Sequence, residues 1–121
     1  MQGRKLVYLG GRINAAYDDE EPNDETLAQS ETFVTNLGYI PLNPTRIDQI
    51  TKEVTFEKYM KICYGLIDIA DTIFMVSGWQ KSKGANAELT YAKSIGKKVM
   101  YQDYYAPFRK VGESDEDSTK L

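Results

Sequence analysis

Thr72-Ile-Phe-Met-Val-Ser-Gly-Trp-Gln-Lys-Ser-Lys-Gly-Ala-Asn-Ala-Glu-Leu89 holds the change of pattern that decides how this chain folds. Thr72–Val76 is an apolar run of strand length and reads as a buried strand. From Gly84 to Ile95 the pattern turns helical, with Ala85, Leu89, Ala92 and Ile95 on one face and Gly96 as the stop. A loop of Gly, Ser and Lys joins the two. A strand, a polar loop and a helix N-terminus together form a cradle suited to an anion or a sugar. Glu88 falls in the first turn or so of that helix, where the helix dipole stabilises a carboxylate. An acidic residue near a helix start is also a common feature with no further role.

Outward from this stretch the alternation repeats. Lys5-Leu-Val-Tyr-Leu9, closed by Gly10-Gly11, reads as a first buried strand. Residues 12–22 form an acidic loop containing Asp18-Asp-Glu-Glu-Pro22. Asn23 or Asp24 can cap a helix that runs to Leu37, with Leu27, Phe33, Val34 and Leu37 as its apolar face and Gly38 after it. Tyr39-Ile-Pro-Leu42 is a second strand, which Pro41 assigns to a sheet edge. From about Thr55, the residues Phe56, Met60, Cys63, Ile67 and Ala70 form a core-facing helical stripe that ends at Asp71. Lys97–Tyr101 is a fourth strand.

Strands alternating with helices at this period imply a parallel sheet with helices on both faces. With strand order 2-1-3-4, the ligand crevice lies beyond the carboxyl ends of strands one and three, where the winding direction reverses. Gly10, Gly11 and Arg12 follow strand one; Ser77, Gly78 and Trp79 follow strand three. Two polar, glycine-bearing loops therefore share one rim. Gly10 and Gly11 let backbone N–H groups approach a ligand, or form a plain strand-to-loop turn. Tyr8 is a core tyrosine or a donor to a carboxylate at the strand's end. Arg12 is an anion contact or a surface charge. Lys81, Ser82 and Lys83 either bind a phosphate or make a solvated loop. Trp79, the only tryptophan, stacks on a planar ligand or packs as a lid on its own domain.

The totals narrow the chemistry. The 121 residues suffice for one domain with a real core. We assign residues 1–110 to that domain and residues 111–121 to an acidic, compositionally disordered tail. A net charge of −3 leaves no basic footprint for duplex nucleic acid, though a free nucleoside or nucleotide can bind one loop. There is no histidine and one cysteine, Cys63. That pattern excludes His-based triads, makes a metal site implausible and suits a reducing cytoplasm. No stretch is long enough to span a membrane. The Gly-Gly turn is neither a dinucleotide nor a triphosphate fingerprint, and no cofactor is expected. A carboxylate acting without histidine suits displacement at a sugar anomeric carbon, whose oxocarbenium-like transition state needs a nucleophile and positioning rather than a strong base. Tyr101, Tyr104, Tyr105 and Phe108 cluster near the end of the fold and supply apolar surface for a second copy of the chain.

Lys5-Leu-Val-Tyr-Leu-Gly-Gly-Arg-Ile13, Asn43-Pro44, Tyr59-Met60 and the run from Ala70-Asp71 to Glu88 closely resemble the DUF4406 proteins over roughly residues 5–101. That family looks like a branch of the nucleoside 2-deoxyribosyltransferase superfamily, which also holds the deoxynucleoside 5′-monophosphate N-glycosidases. The resemblance implies a three-layer, flavodoxin-like or Rossmann-like parallel sandwich. It implies that Glu88, in Gly84-Ala-Asn-Ala-Glu88, attacks C1′ of a deoxyribose, and that Tyr8 hydrogen-bonds this nucleophile. It gives Ser82 the place of a 5′-phosphate contact and makes Gly10, Gly11, Arg12, Ser77, Gly78, Trp79, Gly84 and Asn86 substrate-binding candidates. It further implies a homo-oligomer, dimer or higher, whose active sites a neighbouring subunit completes. One position departs from the pattern. Eight residues before Asp71 the superfamily carries an aspartate that helps hold the sugar and base, and here that place belongs to Cys63. The resemblance therefore carries two functional expectations: an N-glycosidase or deoxyribosyltransferase-like enzyme, or a catalytically inactive nucleotide-binding relative.

Overall fold

The computed structural model describes residues 3–11, 24–44 and 54–105. Arg12, the acidic loop, most of the segment between the second strand and the second helix, Phe108 and the tail lie outside the described residues. Within them four strands, β1 (Leu6–Gly10), β2 (Ile40–Leu42), β3 (Thr72–Met75) and β4 (Lys98–Tyr101), form one parallel sheet in the order β2-β1-β3-β4. Three α-helices accompany them: α1 (Asp24–Asn36), α2 (Phe56–Ile69) and α3 (Lys83–Ser94).

The period-two alternation of the strands builds two cores. Val7, Leu9, Phe74 and Val76 face Leu27 and Val34 of α1. Tyr8, Ile73 and Met75 face the opposite side, against Tyr59, Met60, Cys63 and Ile67 of α2 and Ala85, Leu89 and Ala92 of α3. The result is three layers, helix on sheet on helix, as the chain's alternation predicts. Each fully buried side chain of the size of Phe74 or Ile73 contributes about 1.5–3 kcal/mol to holding the layers together.

The helix ends follow local chemistry. The Thr55 hydroxyl accepts the N–H of Lys58 and starts α2, and the Ser82 hydroxyl accepts the N–H of Ala85 and starts α3. Asp71 closes the turn between α2 and β3, and its Oδ2 accepts the N–H of Leu6 at 2.9 Å, tying the starts of β1 and β3 together. Two apolar positions depart from the helical pattern. Leu37 and Ile95, just past the ends of α1 and α3, are more than two-fifths exposed, because the helices stop before those residues can turn inward.

Candidate active site

β1 and β3 run side by side, with Gly10 opposite Met75 and the Val76 N–H donating to the Gly10 carbonyl at 2.8 Å. Their carboxyl ends meet on one rim. Gly11 brings the backbone close to β3: a Cβ at this position would lie 3.1 Å from Val76 Cβ. A Cβ on Gly10 would meet the Met75 thioether at 3.2–3.3 Å and Glu88 Oε1 at 3.5 Å, so the glycine leaves room directly beside the carboxylate.

Glu88 projects from α3 onto this spot. It shares the inward face with Ala85, Leu89 and Ala92 and is only 1 % exposed. The Tyr8 hydroxyl, fully buried on β1, donates to Glu88 Oε2 at 2.9 Å. Burial and the neighbouring Glu88 charge together push the Tyr8 phenol well above its ordinary range, so it stays a donor. The structure revises one expectation. Ser82 caps the helix and α3 begins at Lys83, so Glu88 lies in the second turn rather than the first. Its stabilisation therefore rests on directed hydrogen bonds more than on the helix dipole, whose effect fades beyond the first turn.

Cys63 of α2 is buried within hydrogen-bonding reach of Tyr8, Tyr59 and Glu88. Burial, then the Glu88 charge, raises its thiol to about 12, while hydrogen bonding to Tyr8 and Tyr59 works in the opposite direction. The thiol is thus neutral at physiological pH. Tyr59, quoted among the residues that carry the family resemblance but given no role in the site, is a member of this cluster. Its spacing of four from Cys63 along α2 was the available signal.

The loop from Val76 to Ser82 forms the other wall. Gly78 adopts a left-handed conformation, φ +90°, that favours glycine, and a single 3-10 turn follows over Trp79–Lys81. The backbone N–H of Ser77 donates to the buried Gln102 side chain at 2.7 Å, and the Ser77 hydroxyl donates to Asp103 Oδ1. The Asn86 amide reaches back to the carbonyls of Ser82 (2.8 Å), Gln80 (3.0 Å) and Trp79 (3.4 Å) and clasps the loop onto α3. Trp79 leans on Tyr101 with ring centroids 6.0 Å apart. Gly84 is buried where the first turn of α3 packs on α2, and a Cβ there would stand in ordinary van der Waals contact with the Met60 sulfur at 3.5 Å. Ser82 is almost wholly buried, with its oxygen engaged in the helix cap. Among the candidates, then, Tyr8, Gly10, Cys63 and Glu88 come together around one carboxylate. The described contacts of Ser77, Asn86 and Ser82 shape the loop itself.

A separate groove of about 480 Å3 lies between α2 and α3, lined by Tyr64, Asn86, Ala87, Thr90, Tyr91 and Ser94; Glu88 does not line it. Among the described residues, no group of three or more Cys, Asp, Glu or His is arranged to hold a metal ion, and no helix is long and apolar enough to cross a membrane.

A parallel β2-β1-β3-β4 sheet between helical layers defines the class as a three-layer α/β sandwich, here with a buried tyrosine–glutamate pair at the β1/β3 rim. The fold is similar to that of a solved structure, the 2-desoxiribosyltransferase from Leishmania mexicana. The TM-score is 0.56 at 18% sequence identity, over 80% of this chain and 63% of that one. The chain belongs to the family described as "Domain of unknown function (DUF4406)", whose model matches residues 5–101. No curated protein matches it.

Proposed function

We propose that the protein breaks or exchanges the N-glycosidic bond of a deoxynucleoside or its 5′-monophosphate, with Glu88 as the nucleophile. The observation that carries this reading is the 2.9 Å hydrogen bond from the Tyr8 hydroxyl to a Glu88 carboxylate buried beside the Gly10 rim. The shared fold with a deoxyribosyltransferase supports it.

In the first step a Glu88 oxygen attacks C1′, and the C1′–N bond breaks with its electron pair leaving on the base, which takes up a proton. A glycosyl ester on Glu88 results. Water then hydrolyses the ester, or a second base takes the sugar. Tyr8 orients the attacking carboxylate. Gly10 and Gly11 offer close backbone approach, and Arg12, beyond the described residues, is the candidate anion contact. Ser82, the cap at the N-terminus of α3, retains the phosphate role as part of this proposal. Trp79 stacks near the base. The scheme uses no cofactor. The same proposal keeps residues 1–110 as the domain with 111–121 as an acidic tail, and keeps the chain a homo-oligomer, for which the half-exposed Tyr104 offers apolar surface.

Cys63 favours a second reading, a nucleotide-binding relative without turnover. A thiol raised to about 12 is a poor acid–base partner near neutral pH. Incubation with the four deoxynucleoside 5′-monophosphates, followed by chromatography for free base, separates the two. The enzyme reading expects base release from at least one nucleotide, abolished in Glu88→Ala. Binding without release supports the second reading. Release that survives in Glu88→Ala contradicts the glutamate mechanism, and neither release nor binding removes both readings.

A further inference from the structure

Two hydrogen bonds of Ser77 run toward the end of β4. Its two donors are taken by consecutive residues, the backbone N–H by Gln102 and the hydroxyl by Asp103. Gln102 is 1 % exposed, an unusual place for a primary amide unless it has work to do there. The short 3-10 turn that carries both residues, Gln102–Tyr104, is itself anchored. The Tyr105 N–H returns to the Gln102 carbonyl at 2.9 Å, and the Tyr105 ring packs on Phe33 of α1 and Phe74 of β3, with centroids 5.0 and 6.1 Å away. On the other side, Tyr101 lies between Trp79 and Tyr104, at 6.0 and 5.4 Å. The rim loop is therefore fastened at its start by Ser77, in its middle by Trp79 against Tyr101, and at its end by the Ser82 cap and the Asn86 clasp.

We infer that Gln102 and Asp103 are positioning residues that act through Ser77 to hold the Ser77–Ser82 loop in the shape that receives the ligand. The inference rests on the reading above, in which that loop borders a nucleotide crevice. The division of labour is set by burial. Gln102 supplies a neutral acceptor where a charge is costly to bury, and exposed Asp103 secures the hydroxyl from the solvent side. Neither residue touches Glu88 or Tyr8 in the described contacts, so their loss acts on ligand affinity and leaves the chemical step intact.

Trp79, the only tryptophan in the chain, reports on this loop directly. The test compares the full-length protein with Gln102→Met, Asp103→Ala and Asp103→Asn. It measures Trp79 emission, amide exchange at Ser77, and kcat and KM for base release from deoxynucleoside monophosphates. In Gln102→Met, Ser77 exchange rises about tenfold or more and the Trp79 emission maximum shifts. In Asp103→Ala the KM rises about tenfold with kcat within about twofold of the parent, and Asp103→Asn, which keeps an oxygen acceptor, returns KM to the parental value. The proposal is overturned by parental emission and KM in Asp103→Ala, by a fall in kcat at unchanged KM, or by an Asp103→Asn variant as impaired as Asp103→Ala. If Gln102→Met does not fold, exposed Asp103 decides. If the parent releases no base, the nucleotide reading has failed. The positioning role is then judged on Ser77 exchange and Trp79 emission alone, and parental values there overturn it.

Discussion

Tyr8 and Glu88 stand 80 positions apart in the chain and 2.9 Å apart in space. A buried carboxylate is tolerated only where donors replace its lost hydration, and the Tyr8 hydroxyl is one such donor. Tyr8→Phe removes that donor without changing the packing volume. It is expected to lower stability by about 1–3 kcal/mol in denaturant unfolding. It is also expected to slow base release about 10- to 100-fold through misorientation of the nucleophile. Cys63 gives a pH signature. Below about pH 9 both the folded and the unfolded chain keep the thiol proton, and its contribution to stability is complete. Between about 9 and 12 only the unfolded chain sheds it, so stability is lost as pH rises through that window. The raised Tyr8 phenol acts in the same direction at higher pH. Denaturant midpoints measured from pH 8 to 11 should fall steadily for the parent and less steeply for Cys63→Ala. Iodoacetamide at pH 8 should label Cys63 only after unfolding. Rapid labelling of the folded protein would contradict the buried, neutral thiol.

At the scale of elements, the strands and helices were largely legible because their periods differ. Alternation in Lys5–Leu9 and Thr72–Val76 separates the two faces of the sheet. The same alternation sends Tyr8 toward α3, whose inward face holds Ala85, Glu88, Leu89 and Ala92. That alternation alone leaves Tyr8 as either a core tyrosine or a donor; its pairing with Glu88 was legible only through the family resemblance. What periodicity does not reach is the irregular backbone. Ser82 reads as a phosphate contact or as part of a solvated loop, and its place as the cap of α3 emerges only in the structure. The Asn86 amide lies on an exposed helix position, and only the path of the preceding loop assigns it to three carbonyls. Gln102 and Asp103 follow the last strand without any repeating pattern, so their hold on Ser77 is a fact of tertiary structure alone. The paired glycines at the end of β1, Gly10 and the Gly11 that follows it, offer a test at this scale. Gly11→Ala drives a methyl against the stiff Cβ of buried Val76, at 3.1 Å, and is expected to cost about 1–3 kcal/mol of stability. Gly10→Ala meets the flexible end of Met75 and the edge of Glu88 instead. It should lose less stability and more activity. Thermal unfolding and base-release rates on the two variants check the contrast, and the reverse ranking would contradict it.

For the whole molecule, the sheet order decides what the chain can do. Because β1 and β3 are neighbours whose connections leave in opposite directions, the loops after them converge, and α3 delivers its carboxylate between them. α1, on the far side of the sheet, supports this arrangement through Phe33, Phe74 and Tyr105 rather than by contributing to the site. In the proposed mechanism a chain with net charge −3 and no histidine rests its chemistry on one acid, Glu88, held by the Tyr8 hydroxyl. The most direct test is mass spectrometry of the protein quenched during turnover of a deoxynucleoside 5′-monophosphate. The account predicts a 2-deoxyribose 5-phosphate adduct on the peptide containing Glu88, absent in Glu88→Gln. Base release with the adduct on another residue, or at an undiminished rate in Glu88→Gln, would contradict it.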